Sequence, residues 1–112
     1  MTPTVRSRRY LEQRGWTCGV TQRYVHQIQR YFDLFGFIDL VCMHPDDGFL
    51  AVQVTAGGNG SARIKKILDT ENARKWLAAG GKIEVHDWRT IKTGKRRLWE
   101  PRITGVTEEA LV

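Results

Sequence analysis

Residues 36–68 read GFIDLVCMHPDDGFLAVQVTAGGNGSARIKKIL, and this stretch decides the fold. Phe37 to Met43 is a nearly continuous apolar run of strand length, interrupted by Asp39. His44-Pro45-Asp46-Asp47-Gly48 follows, with the residue types that tight turns use. Phe49 to Thr55 is a second run with β character. Two such runs across a loop of about five residues predict a β-hairpin. Ala56-Gly57-Gly58-Asn59-Gly60 then forms a flexible loop, and Ser61 stands where it can N-cap a helix through Leu68.

The hairpin gives meaning to two polar residues that look misplaced separately. With the turn centred on Asp46, Met43 faces Phe49, Val41 faces Ala51, and Asp39 faces Gln53. Directly opposed side chains share a face, with Cβ atoms roughly 4.5–5.5 Å apart. Phe37 and Thr55 fall on that face one step further along. A slip of one residue would set Asp39 against Val52 or Val54 and strand a carboxylate among apolar groups, at a high desolvation cost. An Asp carboxylate beside an amide carbonyl offers oxygen ligands to a hard cation, and Mg²⁺ commonly takes only one or two protein carboxylates. The same rung also reads as a structural pairing, with Asp39 accepting hydrogen bonds from Gln53 and nearby amides.

Working outward, residues 4–14 predict a helix ended by Gly15, and Trp16 to Val25 a strand. Gln27 to Phe35 reads as a polar-aromatic connection, and Asp33 as a cap where the chain enters the next strand, with a second-ligand role as its other reading. Asp69 or Thr70 caps a second helix that carries Ala73, Trp76 and Leu77 inward before Gly80-Gly81. Lys82 to Trp88 alternates as a strand, Ile91 to Trp99 brackets Thr93-Gly94 as a small basic hairpin, and 105–112 reads as a flexible tail. With no repeats or linkers, residues 1–112 predict a single compact α/β domain. Its element order is α-β-β-β-α-β, and its mixed, largely antiparallel four- or five-stranded sheet is flanked by helices.

Composition limits the function classes. Hydrophobic residues make up 41% of the 112, enough for one core. The net charge of +6 is unevenly spread: residues 1–30 hold six Arg and one acid, residues 31–60 four acids and no Lys or Arg, and residues 61–102 twelve Lys and Arg against five acids. Two basic segments around an acidic middle have two readings that composition does not separate: a solvated surface that keeps a small domain soluble, and an electrostatic footprint for a polyanion with carboxylates kept for a purpose. Arg6, Arg8 and Arg9 crowd the start, there is no secretory core, and no apolar stretch reaches about 18 residues, so a membrane partner is not expected. Cys18 and Cys42 form no CxxC pair and are read as free thiols of a reducing cytoplasm. His26, His44 and His86 lack zinc-ligand spacing, no Ser sits in a nucleophile elbow, and the Gly-rich loop lacks the Lys-Ser/Thr of a nucleotide P-loop. Arg63, Lys65 and Lys66 after that loop, Lys95, Arg96 and Arg97 in the basic hairpin, and Arg30 are the candidate nucleic-acid contacts, with Trp88 and Trp99 as stacking or core residues.

On these residues the chain resembles the PD-(D/E)XK nuclease superfamily, most of all its small Holliday-junction-resolvase-like and phage-type members, over roughly residues 5–88. Asp39 matches the motif Asp, and Gln53-Val54-Thr55 matches the (D/E)-x-K tripeptide in position. The resemblance implies a metal-dependent DNA endonuclease with Asp39, Gln53 and Thr55 as catalytic positions and Asp39 and Gln53 holding Mg²⁺ or Mn²⁺. It also implies basic residues along the DNA backbone and a homodimer. Thr55 stands where the family has Lys and carries no charge. Arg63, Lys65 or Lys66 is then the replacement cation, or the domain is an inactive relative that binds DNA or a protein without cutting.

Overall fold

A computed structural model describes residues 1–107. Helix α1 (Pro3–Glu12) starts where Thr2 Oγ1 accepts the Val5 amide at 3.3 Å, with Pro3 in the first turn. Then come β1 (Thr17–Val20), β2 (Arg23–Val25), β3 (Arg30–Phe32), β4 (Leu40–His44) and β5 (Gly48–Ala56). Helices α2 (Gly60–Leu68) and α3 (Glu71–Ala78) cross over to β6 (Lys82–Thr93), and β7 (Arg96–Val106) returns beside it. The main sheet is ordered β1-β4-β5-β6-β7, antiparallel except for the β5–β6 pair, and β2 and β3 form a separate hairpin. The expected α/β domain with a mixed five-stranded sheet is this architecture, with α3, β7 and the β2–β3 hairpin added to the α-β-β-β-α-β order. Among the described residues no helix is long and apolar enough to cross a membrane.

Alternation along the strands sorts side chains to two faces. Leu40, Cys42, Leu50 and Val52 pack under Leu11 of α1, whereas Ala51, Ile83 and Val85 pack under Ile67 of α2 and Ala73 of α3. Three sequence expectations need correction. The Trp16–Val25 strand is broken after Val20, because the Thr21 and Gln22 amides both turn to the Asp39 carbonyl at 2.9 and 3.4 Å. The Gln27–Phe35 connection contains β3. The basic hairpin at 91–99 is present as expected, as the tip of a longer ribbon that runs back to Ile83 paired with Val106. The expected tail at 105–112 begins inside β7, where Val106 is buried, and residues 108–112 lie outside the described residues. Cys18 and Cys42, distant in sequence, are rung partners of β1 and β4, and both are buried free thiols.

One polar joint fastens α1 to the sheet. Ser7 Oγ accepts the Trp88 indole N–H at 2.7 Å and meets His86 Nδ1 at 3.0 Å, while His86 Nε2 meets Glu84 Oε1 at 2.9 Å. One proton assignment satisfies all four groups: Nε2 donates to Glu84 and the Ser7 hydroxyl donates to Nδ1. Serine, imidazole and carboxylate in a line resemble a nucleophilic triad, but Ser7 and His86 are fully buried and the indole N–H already occupies the hydroxyl, so the joint is structural. Ser7→Ala leaves the indole N–H and the imidazole nitrogen unpaired in the core. The expected loss is about 2–4 kcal/mol, read as a melting temperature lower by roughly 10 °C. Arg8→Ala, which removes an exposed i,i+4 pair with Glu12, is expected to change little.

Candidate active site

The regular β4–β5 ladder runs from His44↔Gly48 to Leu40↔Val52, which is the expected register. Asp39 lies one residue before its end, and its amide donates to the Val52 carbonyl at 2.9 Å, so the ladder slips there. The Asp39 side chain nevertheless meets the residue expected of it. Gln53 Nε2 donates to Asp39 Oδ2 at 3.1 Å, and the Val54 amide donates to the same oxygen at 2.8 Å. Both side chains are 2% exposed.

Asp33 joins them, and its role is larger than the strand-entry cap read from the sequence. Gln53 Nε2 also donates to Asp33 Oδ2 at 3.1 Å, Gln22 Nε2 donates to Asp33 Oδ1 at 3.3 Å, and Lys66 Nζ approaches Oδ2 at 3.4 Å. A sharp turn makes this possible. Leu34 and Ile38 exchange backbone hydrogen bonds, each 3.0 Å, around Phe35 at φ 55° and Gly36 at φ 86°. A bulky residue at positive φ is uncommon, and here it belongs to the turn that brings two carboxylates six positions apart to one amide. The signal in the sequence is the glycine between two aspartates.

Because both acceptors of Gln53 Nε2 are carboxylate oxygens, the orientation of the amide is fixed, and its Oε1 is turned elsewhere. Gln53 Oε1 and Asp39 Oδ1 are buried and have no hydrogen-bond partner among the described residues. Two unsatisfied acceptors on hydrogen-bonded neighbours are costly and call for a donor or a cation. The charges respond accordingly. Burial, and then the neighbouring Asp33, push the Asp39 carboxyl up to about 7 against the pull of the Val54 and Gln53 donors. Burial also opposes ionising Asp33, but Asp39, Gln53, Lys66 and Gln22 together outweigh it and hold that carboxyl below the usual range. At neutral pH the pair therefore carries one proton with intermediate occupancy, on the Asp39 side. The donor set is all hard oxygen and fits a divalent cation of the Mg²⁺ class, with Asp39 Oδ1 and Gln53 Oε1 as the residues that would hold it. Among the described residues no three His, Cys, Asp or Glu side chains gather in one place.

Thr55, on the same face as Gln53, is 8% exposed and pairs in register with Asp87 of β6. Asp87 changes the reading of the Gly-rich loop. Its carboxylate accepts the Gly58 amide at 3.3 Å and the Gly60 amide at 3.1 Å, so these amides of the Gly-rich loop are occupied from within the chain. Asn59 occupies the N-cap position that the sequence reading gave to Ser61, and its side chain caps nothing. A Cβ on Gly60 would lie 3.1 Å from Asp87 Oδ2, which explains the glycine. Of the basic residues after the loop, Lys66 reaches the site, while Arg63 and Lys65 lie on α2 without a carboxylate partner among the described ion pairs.

The other cations sit on two arms. Strand β6 pairs with β5 only as far as Trp88, so Arg89–Thr93 and Arg96–Glu100 project as a two-stranded ribbon carrying Lys95, Arg96 and Arg97 at its exposed tip. Trp99 on this ribbon is 45% exposed and lies under the Arg6 guanidinium at 4.5 Å, whereas Trp88 is a core residue. Arg30 is exposed on the β2–β3 hairpin. Compared with protein-family models, with curated proteins and with solved structures, the chain matches none.

Proposed function

We propose that the chain is a metal-dependent DNA endonuclease of the PD-(D/E)XK type, hydrolysing a phosphodiester at the Asp33–Asp39–Gln53 cluster. The observation that supports this reading most is the pair of buried, unpartnered oxygens, Asp39 Oδ1 and Gln53 Oε1, beside a second carboxylate and a lysine. Asp39 and Gln53 would hold Mg²⁺ or Mn²⁺, and the chemistry such a cation supplies when bound is polarisation of a phosphoryl oxygen. Asp33 orients Gln53 by accepting a hydrogen bond from its Nε2, which leaves Oε1 free of a protein partner among the described residues. Lys66, with a side chain 47% exposed, brings positive charge to the cluster that Thr55 lacks. The ribbon cations Lys95, Arg96 and Arg97 hold the DNA backbone through its phosphates. A homodimer would set two such clusters against two strands.

A second reading has its own support. Asp39 and Gln53 are almost sealed, which suits a domain that kept the fold, binds DNA or a protein partner, and cuts nothing. Plasmid nicking separates the two. The purified chain is expected to nick supercoiled DNA with Mg²⁺ or Mn²⁺ and not with EDTA. A preparation of Asp39→Ala made in parallel excludes a contaminating nuclease. Binding that is salt-sensitive but indifferent to metal, with no nicking, supports the second reading and overturns the first.

A further inference from the structure

The β2–β3 hairpin has no part in the chemistry proposed above, and its side chains suit a task of their own. Its ladder has three rungs: Arg23↔Phe32, Tyr24↔Tyr31 and Val25↔Arg30. Tyr24 and Tyr31 stand directly opposite each other with ring centroids 4.8 Å apart, and the His26 ring meets Tyr24 edge-on at 4.8 Å. Three aromatic rings thus gather on one short element. They are not covered by the protein: Tyr31 is 67% exposed and Tyr24 39%, and Phe32 and Ile28 beside them are exposed too. A lone two-stranded hairpin gains little stability by itself, and uncovered apolar surface in one place marks a binding site.

Charge identifies the occupant. Residues 17–32 contain no Asp or Glu, and Arg23 and Arg30 stand on opposite strands at the two ends of the ladder. By strand alternation the two arginines leave the face opposite the tyrosine rings, at the two ends of the ladder, so the arm presents a stacking face backed by two cations with no acid of its own, which complements unstacked bases on a phosphate backbone that passes around it. Paired bases in a duplex expose only their edges, so the rings select nucleotides that are not base-paired. The hairpin also leads to the candidate site, because Asp33 follows β3 directly and Gln22, just before β2, donates to it at 3.3 Å.

We propose that the β2–β3 hairpin is a stacking arm for unpaired nucleotides, with Tyr24 and Tyr31 as the platform and Arg23 and Arg30 as phosphate contacts. It follows that the nucleic acid bound is DNA with a single-stranded segment beside the Asp33–Asp39–Gln53 cluster. The inference rests on the nucleic-acid-binding part of the reading above and not on cleavage.

Fluorescence anisotropy in EDTA tests it, with a fluorescein-labelled dT20 oligonucleotide and a blunt 20-base-pair duplex as probes, in buffer of about 50 mM salt where phosphate contacts are strong. Tyr24→Ala/Tyr31→Ala is expected to weaken dT20 binding about 10- to 100-fold and to leave duplex binding within about twofold, since phosphate contacts hold the duplex. Tyr24→Phe/Tyr31→Phe, which keeps the rings, is expected to restore dT20 binding and guards against a merely unfolded hairpin. The arm is overturned if the alanine pair binds dT20 like the parent. It is equally overturned if the variant loses both probes alike, or if sedimentation shows that the substitutions only split a dimer of the chain. If the parent binds the duplex but not dT20, the arm alone falls. If it binds neither probe, the nucleic-acid reading falls with it. Loss of dT20 binding in a chain that never nicks plasmid supports the arm and removes only the hydrolase.

Discussion

At pH 8, Asp39→Asn is expected to unfold at a higher temperature than the parent chain in the absence of metal, and to lack the nicking that the parent shows when Mg²⁺ or Mn²⁺ is added. The two halves of this result have one cause. The folded protein holds a proton on Asp39 up to about pH 7, whereas the unfolded chain releases it near the ordinary value of 3.8. Between those values the folded state binds more protons than the unfolded state, so stability falls as pH rises through that window, and above it the full penalty of a buried charge remains. Asp33 has the opposite shift, and its share of stability is present at high pH and lost as pH falls. Its window lies at and below the ordinary carboxylate value, so the slope between pH 5 and pH 8 comes from Asp39. The net gain of the neutral amide at pH 8 is on the order of 2–4 kcal/mol. Asparagine keeps one oxygen for the Val54 and Gln53 donors and turns its amine to Asp33, so no group is orphaned by the change. The measurement is chemical denaturation at pH 5 and pH 8. The parent loses stability between them and the variant stays nearly flat. Adding Mg²⁺ or Mn²⁺ at pH 8 raises the melting temperature of the parent and leaves Asp39→Asn unmoved. A parent chain without a slope, or a variant weaker than the parent at pH 8, sinks the account of the carboxylate pair.

The same residues show what the sequence makes legible. The β4–β5 register follows from local information, because turn chemistry at Pro45–Gly48 and period-two alternation leave one pairing that buries no stray carboxylate. That register brings Asp39 to Gln53, and it holds even though the regular ladder stops at Leu40. Asp33 is hidden because its approach depends on a five-residue turn with Phe35 at positive φ, a conformation that phenylalanine does not announce. Asp87 is hidden for another reason. It reaches the Gly60 amide from 27 residues downstream, through a parallel β5–β6 pairing that no local pattern encodes. The β2–β3 hairpin has a third cause: it pairs through backbone groups with exposed Arg and Tyr side chains, so hydrophobic alternation, the main strand signal, is weak there, whereas the tip of the ribbon is legible from Thr93-Gly94.

Lys66→Ala, at saturating DNA and metal, is expected to lower the nicking rate about 10²–10³-fold, the usual cost of losing one electrostatic stabiliser of a transition state. The argument begins with an absence. Thr55 supplies no charge at the position where the PD-(D/E)XK motif it resembles has a lysine, and Lys66 is the lysine whose side chain is seen reaching the carboxylate cluster, 3.4 Å from Asp33. Its partner Ile67 is buried against the sheet, so the α2 backbone beneath Lys66 is held in place while the long side chain remains half exposed. A half-exposed pair contributes little to stability, about 0–1 kcal/mol, so the variant is expected to melt close to the parent and the rate loss is not a folding defect. Removing the ammonium also lets the Asp33 carboxyl rise toward its ordinary value, so the pH profile of the residual activity shifts upward. A merely structural lysine would not move that profile. Arg63→Ala and Lys65→Ala, at residues with no carboxylate partner among the described residues, are expected to weaken DNA binding and reduce its salt dependence by about one counterion each, with the saturated rate kept. Nicking by Lys66→Ala at the parent rate, in an experiment where Asp39→Asn is inactive, removes the lysine from the chemistry and leaves Thr55 without a substitute.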